Sequence, residues 1–105
     1  MYNEGAIIAL SSPPGSGAIS IIRLSGKDSI SKTDKFFESK SGKKLKDCNG
    51  YSISYGNFLV NKEVLDEVVI SLYKGPHSYT GEDVVEISCH GSNYVQQEII
   101  SSFTS

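Results

Sequence analysis

The sequence predicts an α+β domain: a mixed or antiparallel sheet of about five strands with two helices on one side. Three observations lead there. Runs rich in isoleucine, valine and tyrosine at residues 6–10, 18–24, 51–60, 64–73 and 84–90 are bounded by glycine, proline, serine or asparagine, as strands ended by turns are. Two stretches, 28–37 and 93 onward, space their apolar residues at three and four, the period of a helix face. The resulting order of two strands, a helix, three strands and a helix suits layers in which the helices share one face of the sheet.

Residues 6–10 read as a buried strand stopped by Ser11-Ser12-Pro13-Pro14-Gly15. Residues 18–24, between Gly17 and Gly26, read as a central strand apolar on both faces until Arg23. A guanidinium there is always charged and needs a partner, either a structural ion pair or water at the sheet rim. In 28–37, Ile30, Thr33 and Phe37 fall at helical spacing behind Asp28 or Ser29 as N-cap. Lys40, Lys43, Lys44 and Lys46 then crowd a Ser/Gly-rich stretch ending at Asn49-Gly50, which reads as a solvated loop. A phosphate-contacting patch is the weaker reading, because no aromatic residue is interleaved with these lysines.

Residues 51–60 alternate Tyr51, Ile53 and Tyr55 against Ser52 and Ser54, pass Asn61-Lys62-Glu63, and return as 64–73 in a β-hairpin. The continuous Val68-Val69-Ile70 predicts cover on both sides near the middle of the second strand. Gly75-Pro76 and Thr80-Gly81 supply turn chemistry before the strand at 84–90. There Val85, Ile87 and Cys89 share one face, and Val84, Glu86, Ser88 and His90 share the other. Glu86 is either a solvated outer-face group or an acceptor aimed into a cleft; on the residue alone the solvated reading is favoured. Val95, Ile99 and Phe103 predict a second amphipathic helix with no glycine stop, so the chain reads as a fragment or a truncated product.

Length supports one domain over residues 1–105, small enough to lean on a partner. Ten basic and twelve acidic side chains leave a net charge of −2, so no global positive field favours nucleic acid, and any RNA contact must be local or indirect. Two cysteines, Cys48 and Cys89, are too few for a disulfide framework and suit a reducing compartment. Without a signal-peptide start or a long apolar run, a soluble cytoplasmic protein with no membrane contact is expected. Gly15-Ser16-Gly17 fails as a dinucleotide loop, because Ser20 stands where glycine or alanine is required and no helix follows. No Gly-Lys-Ser/Thr cradle occurs, so this chain alone is not expected to hydrolyse GTP. His77 and His90 lack a ligand set at metal spacing, and serine is too abundant for a Ser/His/Asp triad to be discriminated.

The run Gly75-Pro76-His77-Ser78-Tyr79-Thr80-Gly81-Glu82-Asp83, followed by Val85-Glu86-Ile87 and Cys89-His90-Gly91, resembles a segment of the N-terminal domain of the MnmE, or TrmE, family of tRNA-modification GTPases. The block from Ser12-Pro13-Pro14-Gly15 through Ile21-Ile22-Arg23-Leu24-Ser25-Gly26 resembles the opening of the same family. Tyr55-Gly56 and Leu65-Asp66-Glu67-Val68-Val69 also fall where the family has similar residues, so the resemblance covers nearly the whole chain. It implies a fold similar to the folate-binding domains of one-carbon enzymes, binding of 5-formyl-tetrahydrofolate, and a homodimer. Arg23 and Glu86 match the family's folate contacts. A carboxylate can accept the 2-amino group and ring N–H of a pterin, while an arginine suits oxygens elsewhere on a folate.

The implied parent activity is modification of the wobble uridine of certain tRNAs, of 5-carboxymethylaminomethyl type, carried out with the flavoprotein MnmG. GTP, potassium and magnesium would belong to a GTPase domain that is absent here, as are the helical domain and the C-terminal cysteine tail. The chain departs from the family at Gly91-Ser92, where two glycines are usual. Two other readings stay open: a stand-alone, aminomethyltransferase-like folate-binding domain, and a non-catalytic dimerisation module in which Arg23 and Glu86 merely pair.

Overall fold

The computed structural model describes residues 7–11, 18–75 and 81–104. The turn chemistry expected of His77, Ser78, Tyr79 and Thr80, and the loop at Gly15-Ser16-Gly17, lie outside the described residues.

One antiparallel sheet organises the chain. Its strands are β1 (Ile7–Leu10), β2 (Ile19–Ser25), β3 (Phe37–Ser39), β4 (Tyr51–Val60), β5 (Glu63–Tyr73) and β6 (Val84–His90), in the spatial order β1-β2-β6-β5-β4-β3. Helix α1 (Ser29–Asp34) packs against β6 and β3, and α2 (Asn93–Thr104) packs against β1, β2 and β6. The α+β class and antiparallel sheet are as the sequence predicts, with a sixth strand added.

The core is built from aligned rows of side chains on the helix-covered face. Ile22, Ile87 and Ile70 stand opposite one another on β2, β6 and β5, as do Leu24, Val85 and Leu72, and all six are buried. Rows like these contribute about 1.5–3 kcal/mol per fully buried aliphatic side chain before conformational entropy is set against them. Ile99 of α2 closes over them, and Gln96 beside it is also buried, donating from Nε2 to Ser20 Oγ at 2.6 Å. Ser92 serves α2 as an N-cap: its Oγ accepts the backbone N–H of Val95 at 3.0 Å.

Three expectations are revised. The first helix stops at Asp34 rather than reaching Phe37, which opens β3 instead. Consecutive phenylalanines cannot both face the core from one helix stripe; here Phe36 stacks on Phe58 at 5.6 Å and meets Phe103 at 5.2 Å, while Phe37 pairs opposite Phe58 in the sheet. A Cβ on Gly56 would stand 2.1 Å from the Glu38 carbonyl oxygen, so glycine is what admits β3 to the edge. Second, the lysine-rich loop is pinned, not merely solvated. It contains a 3-10 helix, Leu45–Asp47, with Leu45 fully buried, and the two carboxylate oxygens of Asp34 accept the N–H groups of Leu45 and Lys46. Lys74 Nζ donates to the carbonyls of Lys46 and Cys48 beyond it. Third, neither β2 nor β5 is covered on both faces. The helices lie on one side only, so Ile19 is 65% exposed and Val69 is half-buried while Val68 and Ile70 are buried.

Candidate functional site

With both helices on one side, the other face of the sheet is open, and the second residue of each alternating pair falls on it. Across its centre runs one row of register partners: Ala9, Arg23, Glu86, Ser71 and Ile53 on β1, β2, β6, β5 and β4. Arg23 and Glu86, the two residues singled out in the sequence, are therefore brought together. Arg23 donates from Nε and Nη2 to the same carboxylate oxygen, Oε2 of Glu86, at 3.0 and 2.5 Å. The side chains are 42% and 19% exposed.

That arrangement leaves hydrogen-bonding capacity on both partners. Among the described residues, Oε1 of Glu86 accepts no bond and the Nη1 donors of Arg23 make none. A carboxylate with one free oxygen accepts a donor pair, and a guanidinium with spare N–H groups holds a carbonyl or carboxylate oxygen. An ion pair this accessible contributes only about 0–1 kcal/mol to folding, so a ligand can reorganise it cheaply.

The row is flanked by depressions on both sides. One of about 200 Å³ is lined by Tyr51, Ser52, Ile53, Ser71 and Tyr73, with the Tyr51 and Tyr73 rings 5.2 Å apart. The other, of about 220 Å³, lies between Ile19, Val69, Ser88 and His90. Aromatic walls beside a polar centre suit a flat heterocycle with a polar edge.

Two further side-chain clusters are not apparent from the sequence. His90 Nδ1 lies 2.6 Å from Asp66 Oδ1, and the His90 backbone N–H donates to Asp66 Oδ2 at 2.9 Å. Asp66 is nearly buried and His90 largely exposed, so the carboxylate fixes the ring and leaves Nε2 outward. The other cluster joins β4 to β5. Lys40 Nζ sits 3.6 Å from Glu67 Oε2 and 5.9 Å from the centre of the Tyr55 ring. The hydrogen bond to Glu67 pushes the Tyr55 hydroxyl pKa up, burial and the Glu67 charge adding to it and Lys40 opposing. The only signal of either cluster in the sequence is the alternation that places Glu86, Ser88 and His90 on one face.

Cys89, by contrast, belongs to the core. Burial, with a smaller contribution from the Asp66 charge, raises its thiol to about 11, which keeps it protonated and inert. Among the described residues no three potential metal ligands cluster, and no helix is long and apolar enough to cross a membrane.

Comparison with known proteins adds an independent line. The family described as GTP-binding protein TrmE N-terminus matches residues 6–105. A tRNA modification GTPase MnmE of Flavobacterium johnsoniae is 47% identical over 100 residues, covering 95% of this chain and 22% of the relative. Its counterpart in Parabacteroides distasonis is 46% identical over 101 residues, covering 94% and 22%, and that of Clostridioides difficile is 43% identical over 91 residues, covering 87% and 20%. The chain thus spans about a fifth of the length of the curated relatives it matches.

Proposed function

The chain belongs to the TrmE N-terminus family, and from that premise we propose that it serves a tRNA-modification GTPase as the module that binds a formyl-tetrahydrofolate and self-associates. In this reading Glu86 holds the donor edge of the pterin through its free oxygen, and Arg23 orients the carboxylate and takes an oxygen of the ligand. When bound, the folate supplies a one-carbon unit for wobble-uridine modification; the chain's own residues bind and orient it. GTP, potassium, magnesium and the flavoprotein MnmG act with the remainder of the parent protein, in the cytoplasm. The observation that carries the reading is the Arg23–Glu86 pair at the centre of an open sheet face, with donors and acceptors left over.

Self-association is supported by the exposed apolar side chains of that same face, Ile19, Tyr51, Ile53 and Tyr55. A domain of this size gains by covering them. The direct contact between Arg23 and Glu86 also favours a second reading, a dimerisation module in which the pair is only structural. Calorimetric titration of the chain with 5-formyl-tetrahydrofolate separates the two: heat of binding that is lost in Glu86→Gln supports the folate site, and no binding by the parent chain leaves the dimerisation module.

A further inference from the structure

Charge along this chain is segregated. The twenty residues from Lys27 to Lys46 hold seven of the ten basic side chains and three of the twelve acidic ones, leaving three basic against nine acidic in the rest. That segment is positive by four and the remainder negative by six. In the fold this segment runs from α1, which packs against β6 and β3, to β3 at the sheet edge and on to the 3-10 helix.

The hairpin turn between β4 and β5 brings one more lysine to this end. Lys35, Lys44 and Lys62 line a groove of about 480 Å³ walled by Leu59 and Asn61. Two carboxylates, Asp34 and Glu38, are also there. Both oxygens of Asp34 accept backbone N–H groups of Leu45 and Lys46, but it keeps its charge, so three lysines against Asp34 and Glu38 leave the groove positive by one. Lys40 pairs with Glu67 and Lys74 caps carbonyls, while Lys27 and Lys32, away from the groove, have no ion pair among the described residues. Among the described residues, Lys35, Lys43, Lys44, Lys46 and Lys62 have no carboxylate within ion-pair distance.

From this geometry we infer that the β3 edge is a docking surface for the phosphate backbone of RNA. The inference rests on the tRNA-modification reading above, though not on its folate part. Lysines presented as point charges around a groove match a row of phosphates; they position a nucleic acid and carry no base reading. An acidic protein could meet the same charges, but the relatives are named for acting on tRNA, and RNA is the polyanion such an edge fits. The low net charge of the whole chain is no obstacle, because nine of the twelve acidic residues lie outside this segment and salt screens those beyond about 10 Å.

The test is fluorescence anisotropy of a labelled, unmodified tRNA transcript titrated with the 105-residue chain between about 50 and 200 mM salt. Lys35→Gln/Lys44→Gln/Lys62→Gln should weaken binding at least tenfold and lower the slope of log affinity against log salt by about two to three, since each phosphate contact contributes about 0.7–0.9. A control with the same loss of charge on exposed α2 and C-terminal positions, Asn93→Glu/Gln97→Glu/Thr104→Glu, should change affinity far less. The inference is overturned if the parent chain does not bind tRNA at low salt, if the lysine triple binds as the parent does, or if the control weakens binding equally. Displacement by poly-glutamate at equal charge would reassign the edge to an acidic protein and likewise overturn it. None of these outcomes bears on folate binding, which the calorimetric titration measures separately.

Discussion

Arg23 and Glu86 occupy directly opposed positions on β2 and β6, and the Nε and Nη2 donors converge on one carboxylate oxygen while, among the described residues, the other accepts no bond. The pair lies in the middle of the face that carries no helix, where an accessible charge pair adds little to folding.

Glu86→Gln is therefore expected to separate binding from stability. The amide keeps the shape but sets an N–H₂ where an acceptor is needed, and losing a charged hydrogen-bond partner costs about 2–3 kcal/mol. Affinity for 5-formyl-tetrahydrofolate should fall by roughly two orders of magnitude. The melting temperature should move by only a few degrees, because the pair contributes about 1 kcal/mol or less to folding. A large loss of thermal stability with unchanged folate binding, in Glu86→Gln and in Arg23→Gln alike, would instead assign the pair to structure.

What the sequence discloses follows from periodicity. The two faces of β6 are legible because, from Val85 on, Val85, Ile87 and Cys89 alternate with Glu86, Ser88 and His90. The need for a partner at Arg23 is legible too, since a guanidinium in an isoleucine-rich strand must be paired. Which carboxylate comes opposite it is not, because β2 and β6 meet 63 residues apart across three intervening strands. Strand β3 is hidden for a different reason. Three residues that begin at the second of two phenylalanines carry no period of their own, and the strand is admitted by a contact at Gly56 that no local pattern announces. The same limit conceals the His90–Asp66 contact, which depends on how β5 and β6 run side by side.

The hairpin turn offers a stabilising change. Asn61 and Lys62 both adopt positive φ, at 53° and 68°, in the two-residue connection between β4 and β5. Asparagine tolerates this region, whereas lysine is strained there and glycine is not. Lys62→Gly should raise stability by about 0.5–1 kcal/mol, seen as a higher urea midpoint at unchanged slope. The same variant should bind tRNA more weakly if Lys62 lies on the RNA edge.

The buried contact between Gln96 and Ser20 should respond in the opposite sense. Ser20→Ala removes the acceptor 2.6 Å from Gln96 Nε2 in a region where neither residue is more than 3% exposed. Removing one partner of a buried hydrogen bond costs about 1–3 kcal/mol. Urea unfolding should show that loss, while Ser88→Ala on the open face should stay within about 0.5 kcal/mol.

Cys89 gives a prediction in pH. Its thiol is pushed from an ordinary value of 9.0 to about 11, chiefly by burial. Between those values the unfolded chain has lost the proton and the folded one has kept it, so the unfolded state binds fewer protons and stability must fall as pH rises. The stabilisation is complete below pH 9 and gone above about pH 11, with a ceiling near 2–3 kcal/mol for a shift of this size. Lysines and tyrosines titrate in the same window, so the measurement is a difference. Urea midpoints from pH 8 to 11 should decline less steeply in Cys89→Ala than in the parent, even though the variant begins less stable because of the cavity it leaves. Thiol labelling at pH 8 provides the second check: the half-buried Cys48 should react under native conditions, and Cys89 only after denaturant is added. Equal pH slopes in the two proteins, or two thiols labelled without denaturant, would show that the core around Cys89 admits solvent.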